Sequence, residues 1–213
     1  MDAAFVIALV QTVLSATWRL ATPLIWTSVG ELFTERAGVL NIGLEGIMLF
    51  GAFAGFAAGT FSGSPVVGLA AAIVTGIVVG LLFGVFTVTI KANQIVVGAA
   101  LNMIGLGLTG FLYRTWFDVS TTGVRTFAPL EIPFLSEIPL IGEILFKQSL
   151  LVYATLLVVP LAAFLLYRTG FGLNVRSVGE HPKAADTVGI SVSGIRYATC
   201  ALGGALAAVG GVW

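Results

Sequence analysis

Six apolar stretches alternate with short polar segments along most of this chain. A helix needs about 20 predominantly apolar residues to cross a bilayer, and the stretches cover residues 3–30, 39–61, 65–90, 95–117, 150–167 and 195–213. This pattern predicts an all-α, polytopic membrane bundle of about six spans, in a single domain over residues 1–213. The first stretch contains Arg19 and Pro23, so it fits either one tilted span or a span followed by a re-entrant piece. The last stops at Gly210-Gly211-Val212-Trp213 without a polar closing segment, and a bundle incomplete at its C-terminus is expected. The opening Met1-Asp2-Ala3-Ala4 lacks the basic start and small-residue cleavage site of a signal peptide, so the first apolar stretch is expected to be retained.

The polar segments give an orientation, because lysine and arginine concentrate in cytoplasmic loops. Arg168, Arg176, Lys183 and Arg196 mark residues 168–194 as a cytoplasmic loop. Residues 118–149 hold Arg125 and Lys147 against Asp118, Glu131, Glu137 and Glu143, and are expected outside. Counting spans backwards places Lys91 inside, residues 62–64 outside and residues 31–36 inside. The N-terminus is then outside if the first stretch crosses once.

Composition narrows the class further. Charged residues make up 9% of the chain, against about 25% in an ordinary soluble domain. Ten basic and ten acidic residues balance, so no nucleic-acid partner is indicated. His181 and Cys200 are each the only residue of their type, which excludes a histidine/cysteine metal cage. Gly105-Leu106-Gly107-Leu108-Thr109-Gly110 matches the dinucleotide fingerprint in letters, but that motif works where a strand turns into a helix. Here it lies inside an apolar span. No Gly-Lys-Ser or Gly-Lys-Thr occurs, so the chain has no Walker A loop for nucleotide phosphates.

Small residues recur every fourth position: Gly51, Gly55 and Gly59 in the second stretch, then Gly68, Ala72, Gly76, Gly80 and Gly84 in the third. Each series lines one helix face and lets a neighbouring helix approach closely in lipid. A packing seam is the expected role, with a glycine-lined conduit as the other reading.

Three places carry candidate chemistry. Asn41 and Glu45 stand four apart, a spacing that puts them on one helix face. An ionisable residue in a membrane span marks a pathway candidate, and pairing of Glu45 with Arg36 or another arginine is the alternative. Asn102 is a second polar residue within a span, fit for interhelical hydrogen bonding or for lining a pathway. Asn93-Gln94 reads as a turn and helix start. Within the cytoplasmic loop, Pro182 suits a first helical turn, Ala184 and Ala185 are good helix formers, and Gly189 is a natural stop. A short helix offered to the cytoplasm needs a partner.

Three stretches resemble the permease subunits of bacterial ABC importers, within them the simple-sugar and nucleoside branch. They are Glu35-Arg36-Ala37-Gly38-Val39-Leu40-Asn41-Ile42-Gly43-Leu44-Glu45-Gly46, Asn93-Gln94-Ile95-Val96-Val97-Gly98-Ala99-Ala100-Leu101-Asn102, and Val178-Gly179-Glu180-His181-Pro182-Lys183-Ala184-Ala185-Asp186-Thr187-Val188-Gly189-Ile190. The resemblance implies that Ala184, Ala185 and Gly189 form the Ala-Ala-x-x-x-Gly core of a coupling helix that docks on an ATPase, with Pro182, Lys183 and Asp186 on the same helix. Lys183 stands where this family normally has Glu. It implies a non-catalytic subunit in the cytoplasmic (inner) membrane, without cofactor or metal. Its implied partners are a cytoplasmic ATP-binding subunit, a second permease (identical or a paralogue), an external solute-binding protein or lipoprotein, a small-molecule solute and membrane lipid. An ion-coupled secondary transporter would show paired broken helices in repeated halves; a structural membrane subunit would have no use for a docking helix.

Overall fold

The computed structural model describes residues 3–117, 129–131 and 147–213. The helices in chain order are α1 (Ala3–Arg36), α2 (Leu44–Ser62), α3 (Pro65–Gly84) continued by a π-helical turn (Val85–Thr89), and α4 (Gln94–Trp116). Strands β1 (Pro129–Glu131) and β2 (Lys147–Ser149) follow, paired antiparallel with Leu130 opposite Gln148. Then come α5 (Leu150–Arg168), α6 (Gly170–Glu180), α7 (Pro182–Thr187) and α8 (Val192–Val212). Apart from the short ribbon the described chain is helical. Most of the expected outer segment 118–149 lies outside the described residues.

Five of these helices are long and apolar enough to cross a membrane: α2, α3 with its π-helical turn, α4, α5 and α8. The remaining expected span lies within α1, which does not break into a span and a re-entrant piece. It runs on through Pro23 to Arg36. A proline leaves the carbonyl four residues earlier without its helical partner. Here that carbonyl is Arg19's, and the Trp213 indole N–H donates to it at 2.8 Å.

Helix α8 is the axis of the packing, in contact with α1, α2 and α3. Its side chains reach two clusters. Val29 and Phe33 of α1, Val158 and Leu166 of α5, and Val175 of α6 form one, with Leu202 and Leu206 of α8 against it. Val39, Ile47 of α2, Phe83 of α3, Leu101 of α4, and Cys200 and Ala207 of α8 form the other.

Both small-residue series lie in these interfaces. A Cβ on Gly51 would stand 2.6 Å from the Ala208 Cα, and one on Gly55 2.6 Å from the Val212 Cγ2. Gly76 and Gly80 meet the carbonyls of Gly204 and Cys200 so closely that a methyl would overlap them. The seam therefore brings backbone to backbone. It offers no room for a conduit. At the far end of α2 and α4, six rings interlock: Phe53 with Trp116, Phe56 with Tyr113 and Phe117, and Phe61 with Phe117.

Candidate functional site

Helix α7 is built by its two ends. Pro182 occupies the first turn, where a missing N–H costs nothing. At the other end Gly189 has φ +85°. Its N–H donates to the Asp186 carbonyl at 3.0 Å, and the Ile190 N–H to the Ala185 carbonyl at 3.1 Å. That pair of reversed bonds is a Schellman cap. The helix packs against α6 and α8 and buries one residue, Ala185, at 4% exposure. Lys183, Ala184, Asp186, Thr187, Val188 and Gly189 are all exposed. Val188, at 74%, offers a large apolar side chain to whatever lies outside.

The helix before it escaped the sequence reading. Residues 168–194 are not a plain loop around one short helix, since α6 precedes it. Thr169 caps α6 by accepting the Gly172 N–H at 3.2 Å. Gly172, Val175 and Val178 are buried at helical spacing, the one pattern by which α6 could have been found. Gly172 packs onto the carbonyls of Leu165 and Leu166 at the end of α5, and Gly179 onto the carbonyl of Arg36 at the end of α1. A cleft of about 600 Å³ remains beside this corner, lined by Glu35, Arg36, Tyr167, Arg176 and Glu180 among others. The Arg176 guanidinium lies 5.3 Å from the Tyr167 ring centroid, a cation–π arrangement.

The second group of candidate residues lies where α1 hands over to α2. The expected span from residue 39 starts too early: α2 begins at Leu44, and residues 37–43 form a turn. Gly38, with φ +78°, ends α1 by the cap that ends α7, with the Gly38 N–H on the Glu35 carbonyl and the Val39 N–H on the Thr34 carbonyl. Asn41 therefore does not share a helical face with Glu45. It is buried in the turn at 2% exposure, and its Oδ1 accepts the Gly43 N–H at 3.0 Å. Glu45 is exposed on the first turn of α2 and makes no ion pair with Arg36.

Asn102 completes the start of α2. The first N–H groups of a helix have no partner inside it, and Gly43 provides no side chain to cap them. Asn102 reaches across from α4: its Oδ1 accepts the Gly46 N–H at 2.7 Å, and its Nδ2 donates to the Ile42 carbonyl at 3.0 Å. Gly98 lets the helices touch here, since a Cβ on it would stand 2.8 Å from the Gly43 nitrogen. Asn93 caps α4 as expected from its helix-start signal, its Oδ1 accepting the Ile95 N–H at 2.9 Å. Gln94 does more, accepting the Leu40 N–H at 2.8 Å.

Glu31 was not singled out in the sequence, yet its carboxylate anchors the turn. Its Oε1 accepts the Asn41 N–H at 2.9 Å and its Oε2 the Thr34 hydroxyl at 2.7 Å. Arg196 of α8 was read only as a marker of orientation; its Nε donates to the Ala37 carbonyl at 3.2 Å. No side-chain pattern signals the bonds that Glu31 and Arg196 make to the turn, because the Asn41 N–H and the Ala37 carbonyl are backbone groups. The structure thus brings Asn41 and Asn102 to the start of α2, with Glu45 exposed beside them, and keeps the α7 residues apart. Among the described residues no cluster of histidine, cysteine or carboxylate could hold a metal.

Residues 13–213 match the family described as "Branched-chain amino acid transport system / permease component". The chain is 39% identical over 200 residues to a putative glucose ABC transporter permease protein, TsgC13, of Haloferax volcanii, covering 93% of this chain and 60% of that protein. It is 37% identical to the guanosine ABC transporter permease protein NupQ of Bacillus subtilis, over 97% of this chain and 67% of the relative. To the nucleoside ABC transporter permease protein NupC of Lactococcus lactis it is 41% identical, over 90% of this chain and 63% of the relative. The chain thus spans about three fifths to two thirds of the length of these relatives. No solved structure matches it. The chain belongs to this permease-component family and is a multi-pass protein of the cytoplasmic membrane.

Proposed function

From that membership we propose that this chain is the transmembrane permease subunit of an ATP-driven importer for nucleosides or simple sugars. It forms half of a translocation pathway, with a second permease (the same chain or a paralogue) forming the rest. An external binding protein or lipoprotein delivers the solute to the outer side, which includes residues 118–149. A separate cytoplasmic subunit hydrolyses ATP, and the chain carries no catalytic residue of its own. Asn41, Glu45 and Asn102 are the pathway candidates; of these, Asn102 ties α4 to the start of α2.

The observation that carries this reading is α7. A helix of six residues is too short to be stable alone in water, yet both its ends are fixed and one side is turned outward. That suits an element that hands a push to the rest of the chain. The ATPase would bear on Ala184 and Val188, while Ala185 transmits the load inward. An ion-coupled carrier has no use for such a helix. The solute class rests on the relatives, whose names give glucose, guanosine and nucleoside. The test is to purify the tagged protein from its own membrane and look for a co-purifying ATPase, then to measure uptake of labelled nucleosides and hexoses into vesicles with and without ATP. ATP-dependent uptake of one class is expected. Uptake driven by an ion gradient without ATP would overturn the proposal.

A further inference from the structure

Packing contacts and hydrogen bonds through residues 37–43 link α7 to α2 and α4. Helix α7 leans on α6 and α8. Gly179 of α6 bears on the Arg36 carbonyl, and Arg196 of α8 holds the Ala37 carbonyl at 3.2 Å. Both contacts enter the turn at its first residues. Gln94 and Asn102 of α4 hold it further along, at the Leu40 N–H and the Ile42 carbonyl, and the turn then becomes the first residues of α2. Glu31 fixes the middle, at the Asn41 N–H.

We propose that this turn transmits displacement of α7 to α2 and α4, and that Glu31 is its positioning residue. The inference rests on the proposed importer function and names the element that couples its two ends. A displacement arriving at Arg36–Ala37 passes along the turn to α2 and α4 only if the turn keeps its shape. Two devices enforce that: the αL cap at Gly38 and the carboxylate of Glu31, itself fixed by the Thr34 hydroxyl at 2.7 Å. One group in the turn is left over. The Asn41 Nδ2 is buried and has no hydrogen-bond partner. A buried donor without an acceptor costs free energy, and the Gly38 cap and the Glu31 carboxylate hold the turn in shape against that cost.

The experiment measures solute taken up per ATP hydrolysed, in the complete transporter with its ATPase. Glu31→Ala removes the anchor; Glu31→Gln keeps an acceptor for the Asn41 N–H. Positions along a coupling network alter coupling by roughly twofold to thirtyfold, so Glu31→Ala should lower the ratio about tenfold with ATP hydrolysis and complex yield retained. Glu31→Gln should restore it to within about threefold, while Glu31→Leu, which fills the space without an acceptor, should stay as low as Glu31→Ala; a role in packing alone predicts rescue by both. An unchanged ratio in Glu31→Ala, or a defect in Glu31→Gln as deep as in Glu31→Ala, overturns the proposal. If Glu31→Ala gives no complex, Gln94→Ala decides, since Gln94 is only half-buried and its loss removes the Leu40 bond alone. An unchanged ratio there overturns it equally. Failure of the importer reading looks different, because the parent protein would then show no ATP-dependent uptake.

Discussion

The ends of α1 and α7 carry the same glycine cap, in opposite surroundings. At Gly38 the cap is gripped: Arg196 holds the carbonyl before it, Gly179 bears on the helix behind it, and a Cβ on Gly38 would stand 3.3 Å from the Arg196 guanidinium. At Gly189 nothing lies within 4 Å of where a Cβ would be. The caps solve one local problem, the orphan carbonyls of a helix end. Their surroundings separate an internal joint from an open surface, the one proposed above to meet the ATPase. Four sets of substitutions press on that difference.

The largest effect should come from within α7, which is bare on one side only. Ala185 is buried, so Ala185→Asp places an uncompensated charge inside the chain, at a cost of about 3–5 kcal/mol. Ala184→Asp places the same charge on the outward side. We expect Ala185→Asp to lose membrane yield and thermal stability, and Ala184→Asp to keep both while losing ATPase co-purification. Equal yields would show that α7 has no inward face of consequence.

Arg196→Ala should come next. It leaves the buried Ala37 carbonyl without its charged donor, a loss of about 1.5–3 kcal/mol. A lower midpoint of thermal unfolding in detergent is the readout. Arg196→Lys keeps the charge and loses the Nε, so it should fall between Arg196→Ala and the parent.

The two glycines themselves give a smaller, paired effect. Alanine in the left-handed region costs about 1–2 kcal/mol, and both positions occupy it. Gly38→Ala should lower stability further, because its methyl presses on Arg196. Gly189→Ala should leave global unfolding nearly unchanged and reduce uptake per ATP, since only the end of α7 loosens. Identical melting shifts would erase the contrast between joint and free surface.

Much of this contrast could be read in the sequence, and the unread part has a physical cause. Apolar length gave five of the spans, and Pro182 with Gly189 gave α7, because those signals lie within the segments they shape. The early start assigned to α2 came from Val39, Leu40 and Ile42, apolar residues that sit in a turn; Val39 is buried there by packing rather than by membership of a span. Whether α1 continued through Pro23 depended on Trp213, 194 residues from the carbonyl it satisfies. Asn41 and Asn102 could be picked out as polar residues in apolar surroundings. Glu31 and Arg196 could not, since each binds a backbone group of the turn and no side-chain pattern records that.

The smallest effect is expected at Lys183, which precedes Ala184 and Ala185 on α7. Lys183 is exposed in the first turn of α7, so a substitution there should shift stability by no more than about 0.5 kcal/mol. Two modes of docking then give different results for Lys183→Glu. If α7 engages its partner through Ala184 and Val188, reversing one charge beside them should change ATPase affinity less than about threefold, and salt should matter little, because exposed charges are largely screened at physiological ionic strength. If Lys183 instead pairs with a carboxylate of the ATPase, the reversal sets like charges together in a desolvated contact. The loss should then exceed about tenfold and shrink as salt is added. We expect the first outcome, since Val188 is the most exposed large apolar side chain on this unit and a helix of six residues leaves little surface for anything else. Titration of the purified ATPase against both forms of the transporter, at low and high salt, separates the two.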